Sequence, residues 1–216
     1  VYPYKSDDVF QTFMAAYTTA VDPHTDYFSP VASNEFDISM RLSLVGIGAV
    51  LQERDGYTTI RELVAGGPAQ LSGKLAVGDR IIGVGQGSDG EIKEVVGTRL
   101  DEVVQLIRGE KDSTVRLDIL PAEAGGNANH RVISLIRDKV SLEKQAAQKT
   151  VVPVVKDGVT RKVGVITLPT FYEDFEARRK GDKDYRSASR DVAKLLGELK
   201  QENVDGVLVD LRDNGC

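Results

Sequence analysis

Two glycines set one residue apart constrain this chain more than any other feature. Gly46 and Gly48 bracket Ile47 within Ser43-Leu-Val-Gly-Ile-Gly-Ala-Val-Leu51, directly ahead of a run of strand formers. Glycine adopts backbone conformations closed to other residues, so the chain can turn here with consecutive N–H groups exposed. Ile47 to Leu51 then reads as a buried or half-buried strand. A turn of free amides beside an open strand edge suits one kind of ligand, the carboxylate end of an extended peptide. The amides take the negative charge, and the edge takes the peptide backbone as an added strand. A Gly-x-Gly alone is a weak signal, so the surrounding elements decide its meaning.

Those elements follow quickly. Ile47–Gln52 and Tyr57–Val64 flank Glu53-Arg54-Asp55-Gly56, a hairpin link ending in Asp-Gly. Ala65 to Gly73 reads as a tight turn and a short helix with Pro68 near its first turn. The chain then turns at Val77-Gly78-Asp79 into a strand from Arg80 to Val84, with a loop from Gly85 to Gly90. Thr98 to Arg108 predicts a helix whose Thr98 and Asp101 have capping-box spacing. Its apolar positions Leu100, Val103, Val104 and Ile107 share one face, and Gly109 closes it. Val115–Leu120 alternates as a strand, Pro121–Asn129 is a loop, and Arg131–Arg137 is the returning strand.

The flanks read differently. Residues 6–21 predict a helix capped by Ser6 or Asp7, with Val9, Phe10, Phe13, Met14 and Tyr17 at helical spacing. Asp22 to Pro30 breaks it; His24 and Asp26 there read as parts of a rigid turn, since no further ligand accompanies them. Residues 31–43 read as a lead-in to the glycine turn. Past Lys139, Val151–Val155 and Lys162–Leu168 read as strands around Asp157-Gly158, and the densely charged residues 173–188 as a solvated loop. A helix from about Ser189 carries Val192, Leu195, Leu196 and Leu199 inward, and Gly206 to Arg212 is expected to be the most buried strand. This order suggests the first part of an α/β layer, with a site near Asp210–Gly215 at the carboxyl end of its last strand.

Composition narrows the function classes. A net charge of −5 without a basic block argues against nucleic acid. No apolar run approaches a membrane span. One cysteine among 216 residues excludes an internal disulfide. The start at Val1 and the end at Cys216, just after a strand-like run, read as a piece of a longer protein.

The strand-rich region, about residues 37–138, resembles a PDZ domain. The resemblance rests on Gly46-Ile47-Gly48 as the carboxylate-binding loop, Gly67-Pro68-Ala69 opening the short helix, and Leu75-Ala-Val-Gly-Asp-Arg-Ile-Ile-Gly-Val as the next turn and strand. Together with Asp22 to Pro30, Gly164-Val-Ile-Thr-Leu-Pro-Thr-Phe-Tyr172 and Val204 to Gly215, in that order, it resembles the carboxyl-terminal processing peptidases, in their tail-specific branch. The fold so implied is mixed α+β: an N-terminal helical segment (1–36), a PDZ domain that is a partly open β-barrel with two helices (37–138), and the first part of an α/β peptidase core (139–216). The implied function is a periplasmic serine endopeptidase that recognises nonpolar C-terminal tails of protein substrates, with an adaptor protein as a further implied partner, and needs no cofactor. Its peptide site would comprise Leu44, Val45, Gly46, Ile47, Gly48 and Ala49 on one side and Leu100, Val103, Val104 and Ile107 on the other. The segments 31–42 and 138–150 are the implied hinges. The family's Ser–Lys dyad, in which a lysine with a depressed pKa acts as the base, matches no serine or lysine here, Ser187 and Ser189 included. Cys216 stands where the family continues with glycines, and neither it nor His130 has an evident catalytic partner. The alternative reading is a non-catalytic PDZ adaptor that binds protein C-termini.

Overall fold

A computed structural model describes residues 4–123 and 129–214. The chain divides into two compact units, one spanning Ser43–Ser141 and the other combining Val1–Leu42 with Leu142–Cys216.

The second unit begins with two helices, α1 (Ser6–Val21) and α2 (Pro30–Arg41). Neither Ser6 nor Asp7 caps α1. Lys5 is the cap residue, and its N–H donates to Asp8 Oδ2 at 3.0 Å, because an acid three residues in can reach back to that amide. The stripe of Val9, Phe10, Phe13 and Tyr17 is exposed, with Phe10 meeting Tyr27 edge-on. The turn after α1 is held as its polar residues suggest: Asp22 accepts from the His24 N–H and the Thr25 hydroxyl. Residues 31–41 are helical rather than an irregular lead-in. Ser29 Oγ accepts from the Ala32 N–H and Pro30 fills the first turn, a start signal that outweighs the mixed polarity of the segment. The helix ends at Leu42 in the left-handed conformation, φ 49°.

The unit Ser43–Ser141 is built on β-structure. In chain order it holds β1 (Ser43–Gly46), β2 (Ala49–Arg54), β3 (Tyr57–Leu63), α3 (Pro68–Ser72), β4 (Arg80–Gln86), β5 (Ile92–Glu94), α4 (Leu100–Ile107), β6 (Thr114–Leu120), β7 (Arg131–Ile136) and β8 (Asp138–Ser141). One sheet runs β2-β3-β4-β6-β7, with β5 added on β4, and β1 pairs separately with β8. The hairpin between β2 and β3 turns on Asp55 (φ 53°) and Gly56 (φ 79°), the left-handed pair that a two-residue link needs. Along β6, Val115, Leu117 and Ile119 are fully buried. They join Ile60, Ile81 and Val103 in a continuous core.

Three expectations for this unit need correction. Thr98 does not cap α4: the helix starts at Leu100 with Arg99 as cap residue, and Arg99 holds Asp101 in a two-pronged ion pair (3.1 and 3.0 Å). Strand β4 runs on through Gln86, taking two residues expected in a loop. Strands β5 and β8 are too short and too charged to show a period, and they exist because β4 and β1 offer them hydrogen-bonding edges. Part of the loop expected over residues 121–129 lies outside the described residues.

The second unit resumes with β9 (Gln148–Lys156), β10 (Val159–Thr167), α5 (Phe175–Arg179), α6 (Ala188–Gln201) and β11 (Gly206–Asp210). The β9–β10 hairpin turns on Asp157 (φ 51°) and Gly158 (φ 76°), and β11 pairs parallel with β10. Helix α6 lies close on β10: a Cβ on Gly164 would sit 2.8 Å from Leu199, which is wholly buried. Leu196, expected inward, is instead exposed, and Val192 and Leu195 are half-buried. The charged stretch is exposed for the most part but contains α5, capped by Asp174, whose carboxylate accepts from the Ala177 N–H.

The largest correction concerns β11. Val207, Leu208 and Val209 are 45–54% exposed, not the most buried strand of the unit. β11 is the outer strand of a three-stranded sheet, and an apolar run is buried only where a neighbouring layer covers it.

Candidate functional site

The turn between β1 and β2 consists of Ile47 and Gly48, and its carbonyls are both occupied. Ile47 C=O accepts from the Ala69 N–H at 2.7 Å, and Gly48 C=O accepts from the Val64 N–H at 2.8 Å. Gly48 has φ +73°, and a Cβ there would lie 3.0 Å from Gly67 Cα; a Cβ on Gly67 would lie 3.1 Å from Gly48 Cα. Two bare backbones therefore touch, which explains why both positions are glycine. With the carbonyls pinned this way, the Ile47 and Gly48 amides have no acceptor among the described residues. That is the geometry of an anion nest.

The turn opens onto β2, the outermost strand of its sheet. Ala49 and Leu51 are half-buried against the core, and α4 packs against β2. The expected site residues divide here. Gly46, Ile47 and Gly48 are buried, and Leu44, Val45 and Ala49 are half-buried. On the helix, Val103 and Ile107 belong to the core, whereas Leu100 and Val104 are half-buried and keep access to the surface. An edge strand facing a helix, with an amide turn at the strand's start, can receive an extended chain end.

One side chain with no local mark in the sequence holds the end of the helix wall. Arg137, 2% exposed, donates from Nε to Ile107 C=O (2.7 Å) and from Nη2 to Leu106 C=O (3.1 Å) and Gln86 Oε1 (2.6 Å). Its Nη1 donates to Ser113 Oγ and Thr114 C=O. Gln86 Nε2 also donates to Leu106 C=O at 2.7 Å. The last carbonyls of α4 carry partial negative charge, so a buried cation there is favourable, although burial lowers the arginine's pKa. An arginine after an apolar strand reads as a solvent-facing residue, so no local signal marks this role.

The carboxyl end of β11 offers less. Asp210 accepts two hydrogen bonds from the Arg212 guanidinium (2.9 and 2.6 Å), which holds its carboxyl down at about 2. Asn214 Nδ2 donates to Leu168 C=O at 2.9 Å. Gly215 and Cys216 lie outside the described residues. Ser187 caps α6 through its Oγ, 3.4 Å from the Arg190 N–H and 3.2 Å from Ser189 Oγ. His130 does have a partner: just ahead of β7, its Nδ1 lies 2.7 Å from Asp118 Oδ1 on β6, a pairing that sequence distance conceals. Among the described residues, no group of three or more His, Cys, Asp or Glu could hold a metal, and no helix is long and apolar enough to cross a membrane.

Known proteins give this geometry a family. The PDZ domain model matches residues 35–120. This region is a PDZ domain. Ahead of it, residues 1–31 match the tail specific protease N-terminal domain. The chain is 42% identical over 211 residues to the tail-specific protease of Haemophilus influenzae, covering 98% of this chain and 27% of that protein. It is 28% identical over 193 residues to the carboxy-terminal processing protease CtpA of Bacillus subtilis, covering 89% of this chain and 34% of that one. The chain thus spans about a quarter to a third of the curated relatives it matches. A crystal structure of the PDZ domain of the carboxy-terminal protease from Vibrio cholerae, in complex with peptide, is 58% identical. It covers 47% of this chain and all of that one, with a TM-score of 0.44. The protein is a PDZ-bearing relative of the tail-specific proteases.

Proposed function

We propose that the PDZ domain binds the free, nonpolar C-terminus of protein substrates, as the recognition part of a tail-specific serine endopeptidase. The observation that carries this reading is the turn at Ile47-Gly48, with both carbonyls held and both amides left to a ligand, at the start of the open edge of β2. The terminal carboxylate sits on those amides, and the peptide pairs with β2 as an added strand. Its last side chain lies against Ala49, Leu51, Leu100 and Val104, with Val103 and Ile107 behind them. Such a pocket prefers small or medium apolar residues and discriminates weakly among them, since a methylene is worth about 1–3 kcal/mol.

The relatives' names support proteolysis as the purpose of that binding. In this reading the Ser–Lys dyad belongs to no residue of this chain, and the protein works in the periplasm on proteins with exposed apolar tails.

Binding is tested by fluorescence anisotropy with a short labelled peptide ending in Ala-Val, prepared as the free acid and as the amide. The acid binds and the amide does not; equal affinity for both overturns the carboxylate turn. The purified chain is expected to leave an unfolded protein ending in Ala-Val intact. Cleavage that persists in Cys216→Ala would mean that a nucleophile lies within these residues.

A further inference from the structure

We infer that Arg61 selects among substrate tails by the charge of their second-from-last residue, a role that rests on the groove reading above. A chain end whose carboxylate sits at the Ile47-Gly48 turn runs towards the start of β2, so it pairs antiparallel with that strand. Its last residue then stands beside Gly48 and Ala49, and the residues before it stand in turn beside Val50, Leu51 and Gln52. Side chains alternate along paired strands. Ala49 and Leu51 pack on the core, so the tail's last and third-from-last side chains face inward. The second-from-last faces out beside Val50, on the side of the sheet away from the core.

Strand β3 carries one extra residue at this point. Val50 pairs with Glu62 and Leu51 with Ile60, which leaves Arg61 as a bulge between them. Ile60 is wholly buried, so its successor Arg61 belongs to the outer face, and it is exposed. Bulges re-aim side chains and are frequent beside functional sites. The other charges nearby are engaged. Glu53 accepts from the Gly56 N–H at 3.1 Å, Arg54 lies 3.7 Å from Asp55, and Glu62 has a partner of its own. Across from Thr59, Arg80 lies over the Tyr57 ring at 5.3 Å. Among the described residues, Arg61 alone of the charged residues in β2 and β3 has no ion-pair or hydrogen-bond partner. Val50 and Gln52 bring no charge to this face, so its unbalanced charge is that of Arg61. Neighbouring strands lie about 4.8 Å apart, so an added strand stands about 10 Å from β3, which an arginine and a glutamate side chain together span.

The experiment measures the whole chain's affinity for labelled free-acid peptides ending in Glu-Val, Ala-Val and Lys-Val. The wild type is expected to bind Glu-Val about fivefold more tightly than Lys-Val, the scale of one exposed ion pair. Added salt narrows that gap, a readout that needs no variant to fold. Arg61→Glu reverses the order and Arg61→Gln brings the two peptides together, while both variants keep the wild-type affinity for Ala-Val. With Glu or Lys moved to the inward, third-from-last place, Arg61→Glu changes nothing. If the wild type prefers the Ala-Val acid to its amide but does not distinguish Glu-Val from Lys-Val, or if that distinction survives Arg61→Glu, the role of Arg61 is overturned and the groove stands. If acid and amide bind equally, the groove reading itself fails.

Discussion

Two edge strands of this protein look alike in composition and differ in what surrounds them. β2 opens with Ala49-Val-Leu51, and β11 carries Val207-Leu-Val209; both are outermost in their sheets. β2 begins at a turn whose Ile47 and Gly48 amides have no acceptor among the described residues, packs against α4, and has its apolar residues half-buried. β11 is entered through Asp205, whose N–H already donates to Lys162 C=O at 2.8 Å, and its apolar residues are about half exposed. An apolar edge becomes a recognition site only when something sets the direction of the incoming chain and something else gives it a pocket. The units behind the strands differ in the same sense. The PDZ unit rests on a core running from Ile47 to Leu135, whereas the cluster around Tyr172 in the other unit is smaller and holds Leu42, Ala146, Leu168 and Ala188 with it.

The sharpest way to break this contrast is Arg137→Met. It leaves the Leu106 and Ile107 carbonyls without their buried donor, and a loss of about 3 kcal/mol in denaturant unfolding is expected, with weaker peptide binding as the helix end loosens. A variant of full stability and affinity would mean that the helix wall does not depend on this residue. Gly48→Ala follows at about 2 kcal/mol, because it places a Cβ against Gly67 in a left-handed backbone. Thermal melting reads that cost, and the loss of acid-over-amide preference tests whether turn shape and recognition are one property.

Tyr172→Phe probes the other unit. The Tyr172 hydroxyl donates to Asp191 Oδ2 at 2.6 Å and accepts from the Ala147 N–H at 3.1 Å. Burial, with the Asp191 bond adding to it, pushes its pKa up to about 12. The neutral phenol is therefore the form the fold favours. Its contribution is fully present below the free tyrosine value of about 10 and is lost as pH rises towards about 12. The phenylalanine variant loses about 1 kcal/mol at neutral pH, and its stability falls less than that of the wild type across that alkaline window. An unchanged alkaline limb would place the titrating group elsewhere. The smallest effect belongs to Val209→Thr, within about 0.5 kcal/mol, since a half-exposed edge residue has little packing to lose. A cost comparable to that of Gly48→Ala would show β11 to be as embedded as β2.

Much of this molecule was legible from local chemistry. The Asp-Gly pairs at residues 55–56 and 157–158 forecast both hairpins, because few residues accept two successive positive φ angles. The alternation in β6 forecast its buried face, and Gly46-Ile-Gly48 forecast the turn at the head of β2. Two misreadings were local: the start of α4 went to Arg99, which pairs with Asp101, rather than to Thr98, and α2 replaced an expected lead-in on the strength of Ser29 and Pro30.

The sequence by itself determined the periods, the turns and the glycine nest, since these follow from steric limits on a few adjacent residues. Only the tertiary structure decided that Val207–Val209 lies open, that His130 pairs with Asp118, and that Arg137 holds the last carbonyls of α4. Burial and charge pairing are set by what lies across space, and no stretch of chain carries that information alone.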